Sequence, residues 1–142
     1  MKDYNIRQMQ KLALKYFPYD DGLLGHMARA TGDLIFLGTG INFADCCIKF
    51  LVFSEREGVI LSIEEARNCV FLSSDTCKAT MLGMLSQIYN LRHGSVDPGI
   101  LREDLRGPCQ RYFNALFAMA AKRKIDLVKL VDKKLTIYSK IK

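Results

Sequence analysis

Arg111–Lys142, RYFNALFAMAAKRKIDLVKLVDKKLTIYSKIK, is the stretch whose reading decides the fold. Tyr112, Phe113, Leu116, Met119 and Ala120 recur at helical spacing, which predicts a helix over about 109–123. Val128, Val131, Leu135 and Tyr138 repeat the pattern after a very short turn at Lys124-Ile125-Asp126, with Asp126 placed to cap the second helix. Two amphipathic helices so closely joined predict an all-α protein.

Working back toward the N-terminus, each segment shows the same period. Asp97 is a cap with Pro98 in the first helical position, and Gly107-Pro108 is expected to interrupt or bend the helix that follows, because proline removes an amide and crowds the preceding turn. Cys77, Met81, Met84, Leu85, Ile88 and Leu91 form one stripe that begins near Ser74 or Asp75 and ends at His93-Gly94, a histidine and glycine suited to a helix stop. Ser62-Ile63-Glu64-Glu65 reads as a capping box in which Ser62 and Glu65 each accept from the other's amide. Only Val59 to Ile63 alternates briefly like a strand.

The first half continues in kind. Asn42 is expected to cap a helix carrying Phe43, Cys46, Cys47, Phe50, Leu51 and Phe53, closed by Gly58. An apolar segment from Leu23 to about Leu37 precedes it, broken by Gly38-Thr39-Gly40. Those glycines are a turn and not a phosphate loop, since no third glycine and no Lys-Ser/Thr follow. At the start, Ile6, Met9, Ala13 and Tyr16 mark a helix capped by Asp3 and stopped by Pro18. The expected architecture is one all-α domain over residues 1–142, a bundle of about six or seven helices.

Composition sets the outer bounds. A chain of 142 residues with 49% hydrophobic residues can bury a real core. No apolar run reaches the roughly 18 uncharged residues a membrane span needs, so no membrane partner is expected. Residues 1–16 mix charge with apolar residues and do not read as a secretion signal. Cys46, Cys47, Cys69, Cys77 and Cys109 sit at helical positions without a C-x-x-C spacing, which predicts buried, reduced thiols, no zinc site and a cytoplasmic setting.

The charge is uneven. From Lys122 to Lys142 eight Lys or Arg face two acids, Asp126 and Asp132. Such a face suits phosphates or an acidic partner, and Lys133 and Lys134 are its candidates for nucleic-acid contact. Among the acids, Glu55 and Glu57 read as solvated, Asp20-Asp21 as turn chemistry, and Asp33 and Asp45 as a buried carboxylate pair. Glu64 and Glu65 point about 100° apart on a helix. His93 belongs to the helix stop, and His26 reads as a core or interface histidine. A nucleophilic pair of Cys46 or Cys47 with His26 requires a lowered thiol pKa.

Two segments carry a family likeness. Gln10-Lys11-Leu12-Ala13-Leu14-Lys15-Tyr16-Phe17-Pro18, followed by Leu23-Leu24, resembles the opening helix and turn of the MazG-like all-α nucleoside triphosphate pyrophosphatases. Phe117-Ala118-Met119-Ala120-Ala121-Lys122-Arg123-Lys124-Ile125-Asp126-Leu127, running on through Lys133-Lys134-Leu135, is similar to that family's closing pair. Together they cover somewhat under half of the chain. The resemblance implies a helical bundle that forms dimers or tetramers and splits nucleoside triphosphates into a monophosphate and pyrophosphate. It also implies magnesium held by a Glu-x-x-Glu group on one helix and a Glu-x-x-Asp group on a later one, since that spacing sets carboxylates on one helical face for a hard ion.

This chain departs from that pattern. Asp33 falls near the first acidic position, but Phe36 stands three residues later, and Pro108 and Arg111 fall near the second group. A guanidinium there repels a cation. The expectation is therefore a non-catalytic binding or scaffolding protein without a cofactor, associated with further copies of itself or with a protein partner. The old groove, made basic by Arg106 and Arg111, would meet a nucleotide, an acidic peptide or a nucleic-acid backbone. The competing expectation is an active Mg-dependent pyrophosphatase with rearranged ligands from Asp33, Asp45, Glu64 and Glu65. A third is a nucleic-acid-associated protein using its basic C-terminal face.

Overall fold

Among residues 6–17, 22–94 and 97–141, which the computed structural model describes, seven helices follow one another and no strand occurs. They are α1 (Ile6–Tyr16), α2 (Leu23–Leu37), α3 (Gly40–Arg56), α4 (Ile63–Arg67), α5 (Ser74–Gly94), α6 (Pro98–Lys122) and α7 (Leu127–Ile141). The caps expected of Asp3 and Pro18 and the turn of Asp20-Asp21 lie outside the described residues.

The centre is α3. Phe43, Cys46, Cys47, Ile48, Phe50, Leu51, Val52 and Phe53 are all buried, so this helix is apolar nearly all round, as an internal helix must be. Each large side chain so covered contributes about 1.5–3 kcal/mol. Against it pack α1, α2, α6 and α7, with α1 also meeting α7 and α2 meeting α5, while α5 lies along α6 and α4 docks on α6. One continuous set of buried side chains draws on all seven helices.

Two polar clusters stitch this core. Gln10 on α1 is fully buried, and its Nε2 donates to Ser54 Oγ at 2.9 Å and to the Val59 carbonyl at 2.8 Å, while its Oε1 accepts from the Leu61 amide at 3.4 Å. One amide thus fixes the exit from α3. The Tyr112 hydroxyl of α6 hydrogen-bonds with Thr31 Oγ1 of α2 at 2.7 Å and lies 2.9 Å from Cys46 Sγ of α3. Its ring stacks on Phe50 at 4.5 Å. Among the described residues no buried side-chain nitrogen or oxygen lacks a partner, as a well-formed interior requires.

Several local expectations hold. Asp97 Oδ1 accepts from the Gly99 and Ile100 amides, and Asp126 Oδ1 accepts from the Lys129 amide. Gly58 stands just past α3 with φ 73°. Cys77, Met81, Leu85 and Ile88 are buried with Met84 and Leu91 half-buried, which is the expected stripe of α5. Val59, Leu61 and Ile63 are buried while Ile60 is 58% exposed, so the alternation is real. It belongs to an extended connection and not to a strand, because no neighbouring strand pairs with it among the described residues.

Others are corrected. The cap of α3 is Thr39, not Asn42. Thr39 Oγ1 accepts from the Asn42 amide at 3.4 Å, and Asn42 Oδ1 accepts in return from the Thr39 amide at 3.1 Å. Proline does not divide α6, which runs unbroken through Pro108. Gly107 has no Cβ to meet the proline ring, and the carbonyl that loses its amide partner belongs to Asp104, an exposed residue. Only half of the box at Ser62 forms. Ser62 Oγ accepts from the Glu65 amide, but the Ser62 amide donates to Gln110 and not to Glu65.

Candidate functional site

The carboxylates read as metal ligands scatter. Asp33 is exposed on α2, and Asp45 is half-buried with both its oxygens 2.6 Å from Lys49 Nζ one turn on, so the two are not a buried pair. Glu64 is exposed at the start of α4. Among the described residues no three His, Cys, Asp or Glu side chains gather as a metal cradle. Glu55 and Glu57, expected to be solvated, have side chains only 11% and 18% exposed. They pair with Arg7 and Arg92, which lie 48 and 35 positions away in the chain, so no local pattern marks them.

The nucleophilic reading also finds no assembly. Cys46, Cys47, Cys77 and Cys109 are buried, Cys69 is half-buried, and all five are free. Burial pushes the Cys46, Cys47 and Cys77 thiols up and the Cys109 thiol up to about 12. They remain neutral where a nucleophile needs to be a thiolate. Burial, reinforced by Cys46, likewise raises the Tyr112 phenol. His26 is exposed on α2, which overturns its reading as a core histidine. His93 sits in the last turn of α5, its Nδ1 2.9 Å from the Tyr89 carbonyl and its ring 4.0 Å from that of Tyr89.

What does come together is a groove between α4 and α6. Positions 103, 106, 110 and 114 follow one another at helical spacing, so Glu103, Arg106, Gln110 and Asn114 face the same way, with Arg111 beside them. Glu65 of α4 closes the other wall. These side chains, with Ile60 and Cys69, line an open groove of about 650 Å³. Arg106 and Arg111 are exposed, and neither forms an ion pair with a described residue.

The floor of the groove is held by amides. The Ser62 amide donates to Gln110 Oε1 at 2.8 Å, and Gln110 Nε2 donates to the Ser62 carbonyl at 2.9 Å and to Asn114 Oδ1 at 2.8 Å. Asn114 Nδ2 completes the chain by donating to Glu65 Oε2 at 3.4 Å. The arginines therefore project from a wall whose backbone is fixed. This is the arrangement that lets a guanidinium meet a phosphate or carboxylate in a set direction.

A second groove of about 430 Å³ opens between the first turn of α2 and the end of α5, where Phe53, Tyr89, Arg92 and His93 line it. Its Arg92 is engaged by Glu57 at 2.9 Å. Lys133, exposed, and Lys134, half-buried, lie on α7 and line neither groove. Of the five residues expected to bind a ligand, Arg106 and Arg111 share one site, and Asp33, Lys133 and Lys134 stand outside it. No family model matches the chain, and neither a curated protein nor a solved structure matches it.

Proposed function

We propose that this chain is a non-catalytic helical binding protein, a MazG-like bundle whose metal-binding acids have been replaced, and that its groove between α4 and α6 takes a phosphate-bearing molecule the size of a nucleotide. The observation that carries the reading is the pair of arginines, Arg106 and Arg111, on one wall of a groove of about 650 Å³. That volume is within the range of small-molecule sites, roughly 300–1,000 Å³. Two guanidiniums suit the oxygens of a phosphate, and Arg gives the bidentate geometry that lysine lacks.

The carboxylates in the same groove limit what fits. Glu65 and Glu103 repel a ligand that is anionic along its whole length, and they accept hydrogen bonds from hydroxyl or amino groups. A nucleotide has both halves, a charged phosphate and a neutral sugar and base carrying donors.

The test is calorimetric titration of the purified chain with AMP, ATP and pyrophosphate. Binding is expected to weaken at least tenfold, about 1.4 kcal/mol, on Arg106→Ala and again on Arg111→Ala, with unchanged circular dichroism. No heat from any of the three ligands removes the proposal. Sustained Mg²⁺-dependent release of pyrophosphate from a nucleoside triphosphate would replace its non-catalytic half with the pyrophosphatase reading.

A further inference from the structure

The corner at which α2 runs into α3 carries three of the four most exposed large apolar side chains among the described residues. Phe36 is 89% exposed, Ile41 78% and Leu37 66%. All three fall within six residues, and none lines either groove described above. Scattered exposed apolar residues need no explanation, but a cluster at one tip does.

The tip is held stiffly. Gly38 turns the chain with φ 62°, and the reciprocal Thr39–Asn42 cap starts α3 at once. Across from it, Arg123 Nη1 donates to the Gly38 carbonyl at 3.0 Å. A Cβ at Gly38 would fall 2.4 Å from that nitrogen, so the guanidinium lies directly on the turn. The contact sets Arg123 on the apolar corner, and its chain neighbours Lys122, the last residue of α6, and Lys124 are exposed with it. Asp33, one turn before Phe36, is the acid on this side of α2, and Asp126 is engaged in capping α7.

From this juxtaposition we infer that the α2–α3 corner rests on an anionic phospholipid surface, with Phe36, Leu37 and Ile41 entering the boundary of the acyl chains and Lys122, Arg123 and Lys124 meeting the headgroups. Two arguments select this occupant. A projecting apolar tip needs no complementary pocket in a fluid hydrocarbon boundary, whereas a folded protein must offer one. A second copy of the chain, brought up by a two-fold axis, would set the two basic runs against each other, while an anionic bilayer attracts them. Contact of this kind needs no spanning segment, and among the described residues no helix is long and apolar enough to cross a membrane.

The chain has no tryptophan, so Phe36→Trp gives it a single reporter at the tip. The experiment adds this variant to vesicles of phosphatidylcholine alone and to vesicles with about 30% phosphatidylserine, a charge density typical of anionic leaflets. Emission is expected to shift to the blue with the anionic vesicles and to be quenched by brominated acyl chains. In parallel sedimentation, Ile41→Ser and the pair Lys122→Ala/Lys124→Ala are each expected to lower partitioning at least tenfold, with thermal stability unchanged because these side chains are exposed. Absence of binding to anionic vesicles overturns the inference. So does binding that Ile41→Ser leaves intact, or a blue shift that instead follows protein concentration without lipid, which would mark a contact between copies.

Discussion

Gln110 and Ser62 exchange hydrogen bonds in both directions, the Ser62 amide donating to Gln110 Oε1 at 2.8 Å and Gln110 Nε2 donating to the Ser62 carbonyl at 2.9 Å. A side-chain amide on α6 here does for an extended connection what a neighbouring strand does in a sheet. It also takes the place of the expected Glu65 partner, which frees that carboxylate to face the groove. The five-residue α4 is also held on α6 by buried Ile63 and Ala66 and by the Asn114–Glu65 hydrogen bond, so the Gln110 pair adds to an existing contact. Gln110→Leu keeps the bulk and leaves both Ser62 groups without this partner. Ser62 is exposed, so water can replace the lost partner, and the expected cost is about 0.5–1.5 kcal/mol in denaturant unfolding. Faster amide exchange at Ser62 and weaker nucleotide binding should accompany it, whereas an unchanged Ser62 exchange rate contradicts the account.

Helix ends set by short-range chemistry were legible in the chain. Asp97, Ser62, Asp126 and Gly58 act within three residues of themselves, so spacing alone exposes them. The α3 cap is ambiguous in sequence because Thr39 and Asn42 are both capping residue types, and only the backbone says which one begins the helix. Groups that act across the fold were not legible. Glu55 and Glu57 find Arg7 and Arg92 only after α1, α3 and α5 have packed, and nothing near Gln110 distinguishes it from a solvated glutamine. The groove was half legible. Arg106 and Arg111 follow from a family likeness and Glu103 and Asn114 share their helix, but Glu65 on the opposite wall depends on how α4 docks.

Raised thiol pKa values link stability to alkaline pH. Cys46, Cys47, Cys77 and Cys109 are all held protonated by burial, Cys109 up to about 12. An unfolded cysteine loses its proton near pH 8.5, so above that pH the unfolded chain binds fewer protons than the folded one and stability falls as pH rises. The contribution is fully present below about pH 8.5 and is lost toward the folded values above it, by at most about 1.4 kcal/mol per pH unit for each thiol. Thermal unfolding is expected to hold level from pH 7 to 8.5 on this account and to drop steadily toward pH 10. Cys109→Ala should lower the midpoint at pH 7 and flatten the alkaline slope. A slope unaltered in that variant removes Cys109 from the explanation.

The turn that joins α6 to α7 contains the one described residue other than glycine with positive φ, Lys124 at 58°. The Ile125 amide reaches back to the Ala120 carbonyl at 2.9 Å and the Lys124 amide to the Ala121 carbonyl at 3.0 Å. This is the pair of bonds that ends a helix when its next residue is left-handed, a position glycine usually fills. Lysine there holds its Cβ close to the following carbonyl, a strain of roughly 1–2 kcal/mol that glycine lacks. Glycine also has more freedom to lose on folding, which offsets part of the relief. Lys124→Gly is therefore expected to stabilise the chain by about 0.5–1 kcal/mol, the balance of those two effects. The same change removes one cation of the run assigned to the headgroups, so it should raise the unfolding midpoint while weakening attachment to anionic vesicles. A single substitution that moves both quantities in the same direction would show that the turn's geometry and its charge are not the separate contributions assigned here.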